Sequence, residues 1–180
     1  MSDTHLRHYL DNAVKNFRQL KSQADRAMAQ INDDAFFATL DGEANSIAHL
    51  VKHMAGNSRS RWTDFLTSDG EKPDRYRDQE FIMDAGATRS QILEQWEAGW
   101  QLMFNTLEPL EPSDFDTQVV IRSEPHTIIQ AINRQLTHYG YHIGQIVLLA
   151  KHHAGPDWKT LSVARGQSEA FNKKMFARNK

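Results

Sequence analysis

The sequence predicts an all-α fold: a four-helix bundle of long helices with a long charged loop and a short C-terminal helix. Apolar residues recur every three or four positions over four long segments, which is the spacing of an amphipathic helix. Capping residues, glycines and prolines bound these segments, as they do at helix ends. A chain of 180 residues has room for one hydrophobic core rather than two. We therefore expect residues 1–180 to form a single domain.

The first predicted helix runs from about residue 3 to 31, and the second from about residue 45 to 66. Asn45 is a good N-cap for the second, since its side-chain oxygen can accept a backbone N–H of the first turn. The third predicted helix opens at Thr88, where Thr88 and Gln91 form a capping-box pattern. It ends before Pro109, which cannot continue a helix.

The fourth predicted helix begins near residues 123–125 and ends at about His153, before a Gly-Pro pair. Its roughly thirty residues would span about 45 Å at about 1.5 Å per residue. The β-branched stretch 117–121 ahead of it predicts a short extended piece. Residues 67–87 form a charged loop, TSDGEKPDRYRDQEFIMDAGA, which we expect to be too polar to pack in the core.

After Gly166 the tail predicts a short helix. We expect three of its apolar side chains to dock on the bundle: Phe171, Met175 and Phe176.

Composition excludes several classes of protein and site. The absence of cysteine excludes disulfides, thiolate ligands and a cysteine nucleophile. The formal net charge of −2, with its signs well mixed, leaves no basic stripe for a nucleic-acid backbone. No apolar run approaches the roughly 18 residues that cross a bilayer, and no signal-peptide core precedes the first helix. The sequence therefore predicts a cytoplasmic protein that binds neither nucleic acid nor membrane.

His138 and His142 lie four residues apart on the predicted fourth helix. Their rings project from one face, about 40° apart at about 100° per residue. The same arc includes Ile128, Ala131 and Leu149, so the pair should face the bundle interior. Two adjacent buried imidazoles cannot both carry charge cheaply, and a shared metal ion satisfies both. The alternative is a chance pair of hydrogen-bonded core histidines.

A metal site needs a further protein ligand from another helix. His53 lies at the border of the apolar face of the second predicted helix, about 40° from Asn57 by the same rotation per residue. His49 points further away, towards Ser46 and Ser60. We therefore predict His53 as the third ligand and hold His49 in reserve, with a surface histidine as the alternative interpretation of His49.

Two segments resemble the DinB/YfiT-like metal-dependent bundles. HYGYHIGQI, residues 138–146, resembles the H-x3-H-x-G-Q motif on the last core helix of that superfamily. SIAHLVKHMAGN, residues 46–57, resembles its second helix, where the ligand histidine precedes a hydrophobic residue and alanine. The resemblance implies one divalent metal, nickel or zinc, held by His53, His138 and His142. The helix faces select the same three residues.

The resemblance covers nearly the whole chain, and SRWTDFLTSDGEKPDRYRDQEF and LSVARGQSEAF are similar to a bacterial branch of unknown function. Other branches include transferases and isomerases that use low-molecular-weight thiols such as bacillithiol or mycothiol. Extending that activity to this chain rests on analogy between folds. Members are commonly dimers, so the resemblance also implies a homodimer.

Three neutral imidazoles leave a metal with open positions, from which it can lower the pKa of a bound water or thiol. Asn57 and Gln145 lie one turn beyond ligands and could orient a bound species, or they are ordinary polar packing residues. Arg61 continues the same side of the second helix and could meet an anionic substrate or pair with an acidic neighbour. No general base is evident, although Asp64 and the loop acids are candidates.

The leading hypothesis is a metal-dependent enzyme acting on a small molecule, either a thiol-transferase-like or a hydrolase-like protein. The alternative is a non-catalytic bundle in which the ion is structural. A fourth protein ligand would favour a structural ion, and an open position facing a pocket would favour catalysis. The loop at residues 69–80 is either a lid over the metal or a solvated connection.

Overall fold

A computed structural model describes residues 2–178, apart from the side chain of Arg178, and confirms a mostly helical fold. None of the described helices is both long and apolar enough to cross a membrane. The described elements are helices α1 (Asp3–Met28), α2 (Asp33–Phe37), α3 (Ile47–Trp62), α4 (Arg89–Leu107), α5 (Ile128–Ala154) and α6 (Ser168–Arg178), and strands β1 (Gln118–Ile121) and β2 (Glu124–Thr127).

The four long helices share one hydrophobic core. α3 packs against α4 and α5, and α1 packs against α5 and α4. Aromatic edges join these helices: the Tyr139 ring of α5 lies 6.1 Å from Phe17 of α1 and 5.0 Å from Trp100 of α4. Such edge-to-face pairs stabilise a core beyond the area they bury. This packing holds α3 and α5, the helices that carry the candidate ligands, in a defined register.

The helix starts agree with the sequence prediction to within a few residues. Thr88 and Gln91 form the expected capping box. α3 begins one residue later than predicted because Ser46, not Asn45, is its N-cap. α5 begins at Ile128, a few residues after the predicted start near residues 123–125, because residues 124–127 form β2 and pair with β1 in an antiparallel hairpin. The extended piece predicted at 117–121 is confirmed as β1.

The hairpin turn is anchored by the long loop. Arg122 and Ser123 have φ values of 56° and 63°, the left-handed conformation that a two-residue hairpin turn requires. Their backbone N–H groups donate to the Asp69 carboxylate at 2.8 and 2.7 Å. Gly70 N also donates to Val120 O at 2.8 Å. The start of the loop is therefore attached to the hairpin beside α5.

Two predictions, one about the long loop and one about the C-terminal tail, are wrong. The loop at residues 67–87 does pack: its 3₁₀ turn, Arg77–Phe81, lies against α3, and Glu80 is buried. Charged residues enter the interior there because they pair with one another. The tail helix α6 exists as predicted, but its three expected docking residues stay exposed: Phe171, Met175 and Phe176.

Candidate metal centre

Helices α3 and α5 bring three imidazoles to one point. His53 Nε2 lies 3.3 Å from His138 Nε2, which lies 3.1 Å from His142 Nε2. Each ring contributes a nitrogen to a set within 4.8 Å, and the three could hold a metal ion. The helical spacing accounts for the pair on α5, since residues four apart stack on one face.

The separations between these nitrogens fit a metal's coordination shell. Ligand nitrogens bound at about 2.0–2.1 Å in a tetrahedral site lie about 3.3 Å from one another. Two of the three nitrogen–nitrogen distances, 3.3 and 3.1 Å, are close to that edge length, and the third is within 4.8 Å. The donor set is three imidazoles, which suits zinc, nickel, iron or copper. The residues present therefore fit a divalent transition metal.

Hydrogen bonds on the far side of two rings orient them for coordination. His53 Nδ1 lies 2.7 Å from Glu80 Oε2, and His142 Nδ1 lies 3.1 Å from Gln145 Oε1. Because these oxygens accept, each Nδ1 carries the proton and each Nε2 presents a lone pair. Both lone pairs face His138 Nε2, which carries at most one proton when that ring is neutral. A bound cation accepts a lone pair from each of the three nitrogens. Without a cation, the single proton on His138 Nε2 can form a hydrogen bond with only one of the two neighbouring nitrogens.

Burial keeps the α5 histidines neutral. Burial, followed by the proximity of His142 and His53, lowers the pKa of His138 to about 3. Burial also lowers the pKa of His142, although the hydrogen bond with Gln145 acts in the opposite direction. Metal ligands must be deprotonated, so both rings are ready to coordinate at neutral pH.

Glu80 and Arg75 support His53 from the loop, a role that was not predicted from the sequence. Arg75 donates to both Glu80 oxygens at 2.8 and 2.9 Å, and to Glu71 at 3.1 Å. Burial alone raises the pKa of the Glu80 carboxyl, but hydrogen bonds from His53 and Arg75 outweigh it and leave the pKa below its ordinary value. A carboxylate behind a ligand histidine fixes the ring and raises its basicity.

A glycine on α3 makes the contact between Glu80 and His53 feasible. A Cβ at Gly56 would overlap Glu80 Oε1 and lie 2.8 Å from Glu80 Cδ. The carboxylate can approach the helix only because this position has no side chain. Gly56 lies three residues after His53, so it belongs to the neighbouring turn of the same helix.

Gly56→Ala is expected to lower metal affinity about tenfold and to destabilise the fold by about 1–3 kcal/mol, because the added methyl displaces Glu80 from His53. Gly144→Ala is the matched control, since nothing lies within 4 Å of its added Cβ. It should stabilise α5 by up to about 1 kcal/mol through helix propensity. Urea unfolding and zinc competition titrations measure both effects. Equal behaviour of the two variants would contradict this role for Gly56.

The imidazoles open onto a cavity of about 1000 Å³. Asn57, Arg61 and Gln145, which the sequence analysis proposed for substrate or ligand orientation, all line it. Asn57 Oδ1 accepts from Gln135 Nε2 of α5 at 2.8 Å. The Phe81 ring stacks on His53 with centroids 4.8 Å apart. The lining therefore includes an aromatic ring beside the imidazoles and a hydrogen-bonded pair of amides.

Two candidates from the sequence lie elsewhere. His49 Nδ1 lies 3.2 Å from the Ser46 backbone nitrogen, which donates to it, and completes the capping box of α3. His49 is thus a cap rather than a ligand. Asp64 lines a different pocket, with Trp62 and Phe65, so it is not positioned as a base for this site. The available signal for Glu80 was its place beside the apolar run Phe81–Met83 inside an otherwise polar loop.

Comparison with curated proteins finds no match to this chain. A family model described as "Protein of unknown function (DUF1572)" matches residues 4–167. The matched region contains the three histidines, the loop that supplies Glu80 and the whole cavity lining. The chain therefore belongs to the DUF1572 family.

Proposed function

We propose that this protein is a divalent-metal-dependent enzyme acting on a small molecule, with His53, His138 and His142 as the metal ligands. The observation that carries the proposal is the position of the three-imidazole cluster on the wall of an open cavity. Among the residues that the structure describes, the cluster contains no fourth histidine or carboxylate ligand. An open coordination position facing a cavity favours catalysis over a purely structural ion.

The protein side chains divide the work around such a centre. When bound, zinc or nickel supplies Lewis acidity and lowers the pKa of a coordinated water or thiol. Glu80 and Gln145 hold the Nδ1 protons of His53 and His142, so their Nε2 atoms stay available. The Phe81 ring stacks on one face of His53, which is buried.

We also propose that α1, α3, α4 and α5 form the four-helix bundle of the DinB/YfiT-like superfamily. The pairwise packing of these helices and the HYGYHIGQI segment of α5 support this proposal. Through the same resemblance, transfer of a low-molecular-weight thiol to an electrophile is the leading reaction class, and hydrolysis of a small molecule is the second. A homodimer, which the same resemblance implies, and a cytoplasmic location stay predictions.

The test is metal-dependent turnover by the full-length protein loaded with zinc or nickel. Consumption of a small thiol would be followed with a chromogenic aryl halide, and hydrolysis with nitrophenyl esters. We expect activity in one assay that is lost in the metal-free protein and in His142→Ala. A loaded protein that is inert in both assays, with an X-ray absorption spectrum showing a fourth protein ligand, would favour the structural ion instead.

A further inference from the structure

Arg61 is a buried cation without a fixed partner at two of its nitrogens. Arg61 as a whole is 4% exposed, and its Nε and Nη1 atoms make no hydrogen bond to any residue that the structure describes. Gly70 lies close beside it, since a Cβ there would come within 3.0 Å of Arg61 Cδ and Nε. The loop thus accommodates the guanidinium sterically and places no acceptor on these two nitrogens.

The charges around Arg61 offset its own charge only in part. Arg134, Arg122 and Arg77 line the same cavity, whose described lining contains no aspartate or glutamate. Glu71, whose charge favours the Arg61 cation, is engaged elsewhere, because it pairs with Arg75 and Arg122 at 3.1 and 3.3 Å. Burial, followed by the charge of Arg134, lowers the pKa of Arg61 to about 10. A buried charge without a counterion is costly, so an anion bound here would be stabilising.

Arg61 lies on the same helix as His53 and lines the same cavity. It comes eight positions after His53, or about 12 Å along the helix axis. Asn57 lies between them and is hydrogen-bonded to Gln135 of α5. The cavity wall therefore runs from imidazoles, through a pair of amides, to an arginine cluster.

We propose that this arginine cluster is an anion-binding subsite, in which Arg61, assisted by Arg134, binds a carboxylate or phosphate group. If the proposed metal-dependent function holds, the ligand is a substrate whose reactive end reaches the metal and whose anionic group lies about 12 Å away, two helical turns along α3. The planar guanidinium recognises both anions through paired N–H donors. The amides of Asn57 and Gln135 would contact its polar middle.

The test measures thermal stabilisation of the full-length, zinc-loaded protein by inorganic phosphate and by acetate in a low-salt buffer. We expect Arg61→Met to weaken the binding of the effective anion by more than about tenfold, since truncating one partner of a buried charge pair has effects of this size. Arg59→Met is the matched control. Arg59 lies on the same helix with 65% of its side chain exposed, so affinity should change less than about twofold. Equal stabilisation of wild type and Arg61→Met, or none of wild type by either anion, would overturn the proposal.

Two further variants separate folding and metal binding from anion binding. Arg134 is exposed, so Arg134→Gln should fold, and we expect it to weaken anion binding about threefold even if Arg61→Met is unstable. His142→Ala should keep the anion site while losing zinc, so the subsite would stand even if the metal proposal failed. Phosphate affinity lost in His142→Ala but retained in Arg61→Met would place the anion on the metal and overturn the subsite.

Discussion

His138→Ala is expected to lower the affinity of the protein for zinc or nickel by more than about 100-fold. Loss of a hydrogen-bond partner behind a ligand already costs about 10–100-fold, and loss of a ligand should exceed that. His138 is the central ring, because its Nε2 lies 3.3 Å from His53 Nε2 and 3.1 Å from His142 Nε2. Competition with a chelator of known affinity measures the change.

The metal-free variant should remain folded, since the substitution also removes the crowding of lone pairs at the centre of the cluster. Circular dichroism and urea unfolding check this. His152→Ala serves as the control, because His152 lies exposed at the end of α5 and its loss should leave affinity unchanged. Wild-type affinity in His138→Ala would show that the ring is not a ligand.

Glu80→Gln is expected to destabilise the metal-free fold by about 3 kcal/mol and to lower metal affinity about 10–100-fold. The substitution keeps the size of the side chain but removes the charge that faces Arg75. The Arg75 side chain is 3% exposed, so its guanidinium would stay buried with Glu71 as its only acidic partner among the described residues. His53 would lose the carboxylate behind its Nδ1.

Urea unfolding without metal and zinc competition with metal measure the two effects separately. Asp78→Asn is the control from the same 3₁₀ turn, because its side chain is 97% exposed and surface changes usually stay within about 0.5 kcal/mol. If Glu80→Gln unfolded at the wild-type urea concentration, the Arg75–Glu80 pair would not be stabilising the site.

The long helices were predictable because their apolar spacing extends over many residues and is strengthened by caps such as Thr88. The convergence of the three histidines was also accessible to sequence reasoning. His138 and His142 share a face by their spacing, and His53 borders the apolar face of its own helix. These inferences depend on local periodicity, which the sequence displays directly.

The support of the site was not predictable, because it depends on pairing between distant residues. A charged loop is usually interpreted as solvated. The apolar run after Glu80 is a weak signal for that residue, and no local pattern marks Arg75 as a charge that becomes buried. Whether Arg61 pairs with an acid was equally undecidable, since the answer depends on how the loop at Gly70 folds against α3. Similarly, the residues of β2 were predicted to belong to the start of α5. They form a strand because pairing with β1 overrides the local helix periodicity.

The most direct test of the account is elemental analysis of the full-length, tag-free protein after dialysis, before and after addition of zinc or nickel, beside His142→Ala. If the three histidines bind a metal, we expect about one equivalent of metal per chain in the wild type, and its loss in the variant. Absence of metal from both proteins, with no uptake after zinc or nickel is added, would contradict it and leave the three imidazoles as core residues.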